Sequence, residues 1–407
     1  MEENQIQIPE GWRKLALGKV LRYAQPYSFI VKSTNYNAKS GTPVLTAGKS
    51  FILGYTNETD NIYSETPVII FDDFTTDTKF VDFPFKVKSS AMKFLKAVDE
   101  KEIDLKYAFE KIQTIKITET GGDHKRRWIS EYSKIEVLLP EFTEQQSIAD
   151  ILSKTDQAIA NTEALIAKYS RIKTGLMQDL LTNGIGNNEF ELVPTDLKNI
   201  KAKSNFHITT LKTITKVRQG YQIAISSRKK EEGQNRFVYI TVQYLNNPKK
   251  YLEYIENPPA EVISKYDDIL FTRTGNTGQI VTDIVGVYHN NFFKVDFDKK
   301  LITKDYLLLF LQWKPVKDLI LELAGTTTIP DLKHKDFYSI PIFFPKTFDE
   351  QNTITDNINK ANEVVERYET ELSKLQSLKT GLMQDLLSGK VRVNNLKIKE
   401  ANETALA

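Results

Sequence analysis

Thr174-Gly-Leu-Met-Gln-Asp-Leu-Leu181 recurs unchanged, 206 positions later, as Thr380-Gly-Leu-Met-Gln-Asp-Leu-Leu387. An identical octamer at that separation marks a tandem duplication. The same offset pairs Glu144-Gln145 with Glu350-Gln351 and Asp150 with Asp356. Upstream of the first octamer, Ile148, Leu152, Thr155, Ile159, Thr162, Ile166, Tyr169, Lys173, Leu176 and Leu180 follow in alternating steps of four and three. That is the 3.5-residue repeat of a coiled-coil seam. The second copy repeats it with Ile354, Ile358, Ala361, Val365, Tyr368, Leu372, Leu375, Lys379, Leu382 and Leu386. Pro140 and Pro345 precede the two runs, acidic residues occupy the first turns, and Asn183-Gly184 and Gly389 supply the stops. The pattern predicts two helices of about 38 residues, each roughly 57 Å long. A rod of that length outruns a small domain, so part of each helix needs a partner outside its own globule. Lys173 and Lys379 fall on the seam, where their stems pack and their amines are expected to reach water.

The segments before the helices carry short β-rich runs broken by Gly, Asn, Asp and Pro: Pro67–Phe71, Ile135–Leu139, Asp268–Phe271 and Ser339–Phe344. Short helical stretches are expected near 90–112 and 303–323. The fold class is α+β, with a first variable domain over 1–141, a helix over 142–184, a second variable domain over 185–345, a helix over 346–390 and a tail over 391–407. The domains share a skeleton while their loops diverge. Phe71-Asp-Asp-Phe-Thr-Thr-Asp-Thr-Lys79 stands where the second domain has Phe271-Thr-Arg-Thr-Gly-Asn-Thr-Gly-Gln279. Thr120–Trp128 likewise stands where Gly325–Lys333 does.

The 407 residues contain no cysteine, which excludes disulfides, thiolate nucleophiles and Cys-bound metals and suits a reducing, cytoplasmic setting. The opening MEENQIQIPEGW lacks the basic and apolar regions of a signal peptide, and no run reaches the roughly 20 apolar residues of a membrane span. Three stretches imitate catalytic motifs and lack a residue the chemistry needs. Pro43–Ser50 has proline where a phosphate loop needs its first glycine. Asn257-Pro-Pro-Ala260 has alanine where an amino-methyltransferase needs an aromatic. Pro330-Asp331 has no following carboxylate and lysine at nuclease spacing. The four histidines (124, 207, 289, 334) show no zinc spacing.

The loops hold hydrogen-bonding groups and local charge instead. His124-Lys125-Arg126-Arg127-Trp128 is the basic cluster of the first domain, with Lys79 on the other divergent loop. The second domain offers Arg273, Thr274, Asn276 and Gln279 on a glycine-hinged loop, Arg218 and Tyr221, Thr327 and Lys333, and the run Arg228-Lys229-Lys230. Arg reads guanine with two donors, Asn or Gln reads adenine, and Lys and Thr suit phosphates. Asp72, Asp73 and Asp77 would repel phosphates and read as structural. Residues 186–345 carry 22 Lys and Arg against 18 Asp and Glu, while 346–389 carry 5 against 8. The positive surplus therefore lies on a variable domain.

Taken together, these residues resemble the specificity subunit of type I restriction-modification systems, over nearly the whole chain. The resemblance rests on Leu139-Pro140…Glu144-Gln145, Phe344-Pro345…Glu350-Gln351, the two Lys-Thr-Gly-Leu-Met-Gln-Asp-Leu-Leu ends, and Asp268–Asn276. It implies that each variable domain reads half of a bipartite site in double-stranded DNA. It implies helices that pair as an antiparallel coiled coil fixing the unread spacer. It also implies a non-catalytic chain that binds no cofactor of its own. Two modification subunits would bring S-adenosylmethionine and methylate adenine N6, and restriction subunits would bring ATP and Mg. The alternatives are a standalone methyltransferase or nuclease, or a coiled-coil scaffold or inhibitor.

Overall fold

The structure, a computed structural model, describes residues 8–37, 40–46, 50–115, 126–186, 190–325 and 330–393. Four of the helices among the described residues frame the two units: α1 (Leu105–Gln113), α2 (Phe142–Asn183), α3 (Lys304–Gln312) and α4 (Phe348–Leu387). At 42 and 40 residues, α2 and α4 are about 63 and 60 Å long. The chain forms two compact units, residues 1–164 with 368–407, and residues 165–367.

In the first unit, a four-stranded antiparallel sheet runs in the order Leu21–Ala24, Met92–Ala97, Val68–Asp72, Thr78–Val81. Arg13–Ala16 pairs with Glu136–Leu139, the strand that feeds α2. The second unit repeats this order with Thr215–Gln219, Phe292–Phe297, Ile269–Thr272 and Ile280–Val281. There His207–Thr210 pairs with Pro341–Phe344, the strand that feeds α4. The duplication therefore extends to domains whose sequences have drifted apart.

The expected helix near 90–112 is confined to its last third. Met92–Ala97 is the second strand of the first sheet, with neighbours on both sides. Lys93 and Lys96 give the run a helical look. Lys93 is nonetheless buried beside Asp73, which lets an apolar strand carry a lysine.

Within each unit the seam residues of α2 and α4 are buried or half-buried. In the first, Ile148, Ala149 and Leu152 join one apolar core with Leu386 and Leu387. In the second, Leu180 and Leu181 join Ile354 and Ile358. The direction is antiparallel. Glu144 meets Arg392 and Asp156 meets Lys379 in the first unit. Lys173 meets Asn362, and Glu350 accepts from the Ile185 N–H, in the second. The seam lysines thus depart from expectation, because their amines bond across to the facing helix. They are duplicates of each other, as are Asp156 and Asn362.

The repeated Glu-Gln pair is built into this frame. Gln145, fully buried, accepts from the Asp104 N–H and donates to the carbonyls of Glu102 and Pro140. Gln351, also fully buried, accepts from the Thr303 N–H and donates to Leu301 and Pro345. Asp104 and Thr303 are the N-caps of α1 and α3. One amide therefore ties the capping turn of a domain helix to the start of a long helix. Gln351→Leu keeps the volume and orphans one N–H and two carbonyls, an expected cost of about 3–5 kcal/mol. Calorimetry should show the transition of the second unit lowered, and Gln145→Leu should lower that of the first.

Glu110 on α1 is fully buried, and neither of its carboxylate oxygens has a hydrogen-bond partner among the described residues. Lys379 and Lys106 stand at 3.9 and 3.8 Å. Burial holds its carboxyl above the usual range, and Lys379 offsets part of that shift. A carboxyl raised in the folded state favours folding below its unfolded pKa, and that contribution is lost as pH rises through the folded value. α3 has Leu309 at the same distance from its N-cap. Glu110→Leu should therefore stabilise the first unit by about 1–2 kcal/mol at neutral pH. Thermal unfolding across pH should show that gain shrinking towards about pH 4.

Candidate nucleic-acid interface

In the first unit, several loops meet at one end of the four-stranded sheet. The Asp72–Asp77 turn joins the last two strands. The Asp72 carboxylate accepts from the N–H groups of Phe74 (2.8 Å) and Thr75 (2.7 Å), and Thr76 completes the turn at a φ of 62°. The Asp73 N–H donates to Ala91, and its carboxylate accepts from the Trp128 N–H at 3.0 Å and pairs with Lys93 at 3.3 Å. Lys93 also donates to Gln25 and to the Ser90 carbonyl. Trp128 and Tyr132 pack their rings on Phe71, which fixes the segment that carries Arg126 and Arg127.

The second unit builds the same end with different chemistry. Arg273 takes the position of Asp73, and its N–H donates to Asn291. Its guanidinium grips Asp331 in a two-pronged pair, Nε to Oδ1 at 3.0 Å and Nη2 to Oδ2 at 2.8 Å, over the ring of Phe293. The Thr274 hydroxyl adds a bond to Asp331 at 2.5 Å, and Leu332 donates to the Arg273 carbonyl. Burial alone would raise the Asp331 carboxyl, but Thr274 and Arg273 hold it below its usual range. The turn is closed from Thr272, whose hydroxyl bonds the Asn276 and Gln279 carbonyls. Gly275 and Gly278 take φ of 95° and 90°, which side chains disfavour. The Asn276 amide donates to Gln279 at 2.9 Å. Gln219, Gln222 and Asn290 form an adjoining amide chain.

The structure brings Arg126, Arg127 and the Asp72–Asp77 turn together in one unit, and Arg273, Thr274, Asn276, Gln279 and Lys333 in the other. Arg126 and Lys333 are exposed, whereas Arg127 bonds Glu131 at 3.1 Å. Lys79 is exposed on its strand. Arg218 pairs with Asp296 at 3.0 Å. Tyr221 is half-buried, and its carbonyl accepts from Tyr239. Lys125 and Thr327 lie outside the described residues. The Arg228–Lys230 run is largely neutralised, with Arg228 and Lys230 on Glu253 and Lys229 3.9 Å from Glu256. Asp331 and Trp128, read in sequence as a stray carboxylate and an end of a basic run, are the anchors. Their partners lie 58 and 55 residues away, beyond any local signal.

Among the described residues, no group of three or more His, Asp or Glu is placed to hold a metal ion. None of their helices is long and apolar enough to cross a membrane.

The type I restriction modification DNA specificity domain matches the chain twice, over residues 9–169 and 203–376. The specificity subunit of the type I restriction enzyme EcoR124I/EcoR124II of Escherichia coli is 46% identical over 165 residues, covering 39% of this chain and 41% of that one. That of the MjaVIII enzyme of Methanocaldococcus jannaschii is 24% identical over 97% of this chain and 96% of its own. The crystal structure of a type I restriction-modification S subunit from M. genitalium superposes with a TM-score of 0.61 at 17% identity, covering 95% of this chain and 98% of that one. At that identity the likeness is one of fold.

Proposed function

The chain belongs to the type I restriction-modification DNA specificity family, and we propose that it is the subunit through which such a complex reads a bipartite site in double-stranded DNA. One observation carries this reading. Two units with the same sheet order end in loop clusters of unlike chemistry, on helices that have stayed alike. A duplicated frame with divergent ends reads two different half-sites. Asp73 and Arg273 show the divergence most plainly, since they occupy one position with opposite charge.

In this reading Asn276, Gln279 and Lys333 face DNA in one domain and Lys125, Arg126 and Arg127 in the other, with Lys79, Arg218, Tyr221, Thr274 and Thr327 on the flanks. Arg273 holds the second turn through Asp331. Arg273→Ala and Asp331→Asn should each weaken binding of the assembled complex to its site by about tenfold or more. If Arg273→Ala left affinity and site choice unchanged, this assignment would be wrong.

The helices, paired as one antiparallel coiled coil, set the unread spacer and carry the partners. Ile172 and Leu378, duplicates of each other, are 48% and 53% exposed. Gly175 and Gly381 follow one turn later, each with open space where a Cβ would stand. Glycine costs a helix interior about 1 kcal/mol relative to alanine, and among the described residues nothing outside their own helix turns lies within 4 Å of where a Cβ would stand at these two. Close approach by a second protein accounts for their retention, and two equal patches fit two modification subunits. Those subunits would bring S-adenosylmethionine for adenine methylation, and restriction subunits ATP and Mg. This chain supplies recognition without catalysis.

A further inference from the structure

The exposed tip of the first unit's turn is apolar. Phe74 is 62% exposed in a turn that is otherwise built from aspartate and threonine. Its place is fixed from behind. Asp72 accepts from its N–H and from both the N–H and hydroxyl of Thr75, and the neighbouring Asp73 is anchored to Trp128 and Ala91. The backbone at Phe74 is therefore set before any ligand arrives, while its ring touches solvent. The corresponding turn of the second unit has Thr274, Gly275 and Asn276 at this level, with no large apolar group.

A phenylalanine cannot report a hydrogen-bonding edge. In the major groove the one apolar feature that distinguishes a base is the 5-methyl group of thymine. Asp72 and Asp73 are consumed internally, so the tip reaches DNA through Phe74, Thr75 and Thr76. Resting on the DNA-reading role proposed above, we propose that Phe74 is a specificity-determining residue that recognises a thymine methyl group in the first half-site. The two domains then differ in mode: the first reads one position by apolar contact, the second by amide groups.

The test uses the assembled complex and duplexes carrying its mapped site, with each thymine of the first half-site replaced in turn by uracil. At one position, loss of the methyl group should weaken wild-type binding about fourfold, the effect of exposing one methyl-sized group. Phe74→Ala should bind the intact site about fourfold or more weaker and be indifferent to that uracil, and Phe74→Leu should restore part of the discrimination. Equal uracil penalties in wild type and Phe74→Ala would overturn the proposal. So would a rise in 2-aminopurine fluorescence that Phe74→Ala abolishes, since it would show insertion between bases instead. Failure of the wild-type complex to select any site would count against the DNA-reading role itself, a separate outcome.

Discussion

Adding seven residues to each long helix, after Ala164 in α2 and after Thr370 in α4, should move the recognised site to one with a longer unread spacer. In the coiled coil proposed above, the pairings of Asp156 with Lys379 in one unit and of Lys173 with Asn362 in the other fall on a single register, which sets these two points opposite each other. Matched heptads therefore preserve the seam. Seven residues lengthen the rod by about 10.5 Å, roughly three base pairs at 3.4 Å each. Three base pairs also turn the duplex by about 100°, so the new site should bind more weakly than the old one did. The expected result is loss of the original site by about a hundredfold or more and methylation at half-sites spaced about three base pairs further apart. An unchanged motif would remove the helices from any role in spacing. A heptad in one helix alone should break the register and unfold the pairing.

The second large effect concerns assembly. Gly175→Leu together with Gly381→Leu should abolish binding of the modification subunits, because a Leu side chain blocks close backbone approach at both patches. Among the described residues outside their own helix turns, neither glycine has a neighbour within 4 Å of its would-be Cβ, so the chain itself should fold at least as well as wild type. On the proposed docking of two modification subunits, each single variant should capture one of them, read by the mass of the complex in native mass spectrometry. Full assembly of the double variant would place the docking surface elsewhere.

The frame was legible in sequence because it is local and periodic. A 3.5-residue seam, a repeated octamer and proline-ended strands all declare themselves within a few residues, and α2 and α4 follow them. Met92–Ala97 falls within the stretch near 90–112 that the sequence suggests as helical, yet it is a strand. Lys93 is tolerated inside a sheet because Asp73, Gln25 and the Ser90 carbonyl, two of them distant in sequence, meet its amine. The reading ends were half legible. Arg273 stands out in sequence as a donor, but its partner Asp331 is brought to it by tertiary folding. The Glu-Gln pair signalled duplication without signalling its role. Gln145 and Gln351 bond backbone groups up to 43 and 50 residues away, which no pattern in the chain encodes. Phe74 carries no motif at all, and its significance lies in exposure at a braced turn.

The methylation pattern that the chain directs tests the division into two readers most directly. Single-molecule methylome sequencing of cells carrying it with its modification subunits should reveal one bipartite, asymmetric motif. Exchanging residues 8–141 for those of a relative should then change one half of that motif and leave the other half and the spacer as they were. A continuous motif, or an exchange that altered both halves together, would contradict the division of the molecule into two independent readers on a common frame.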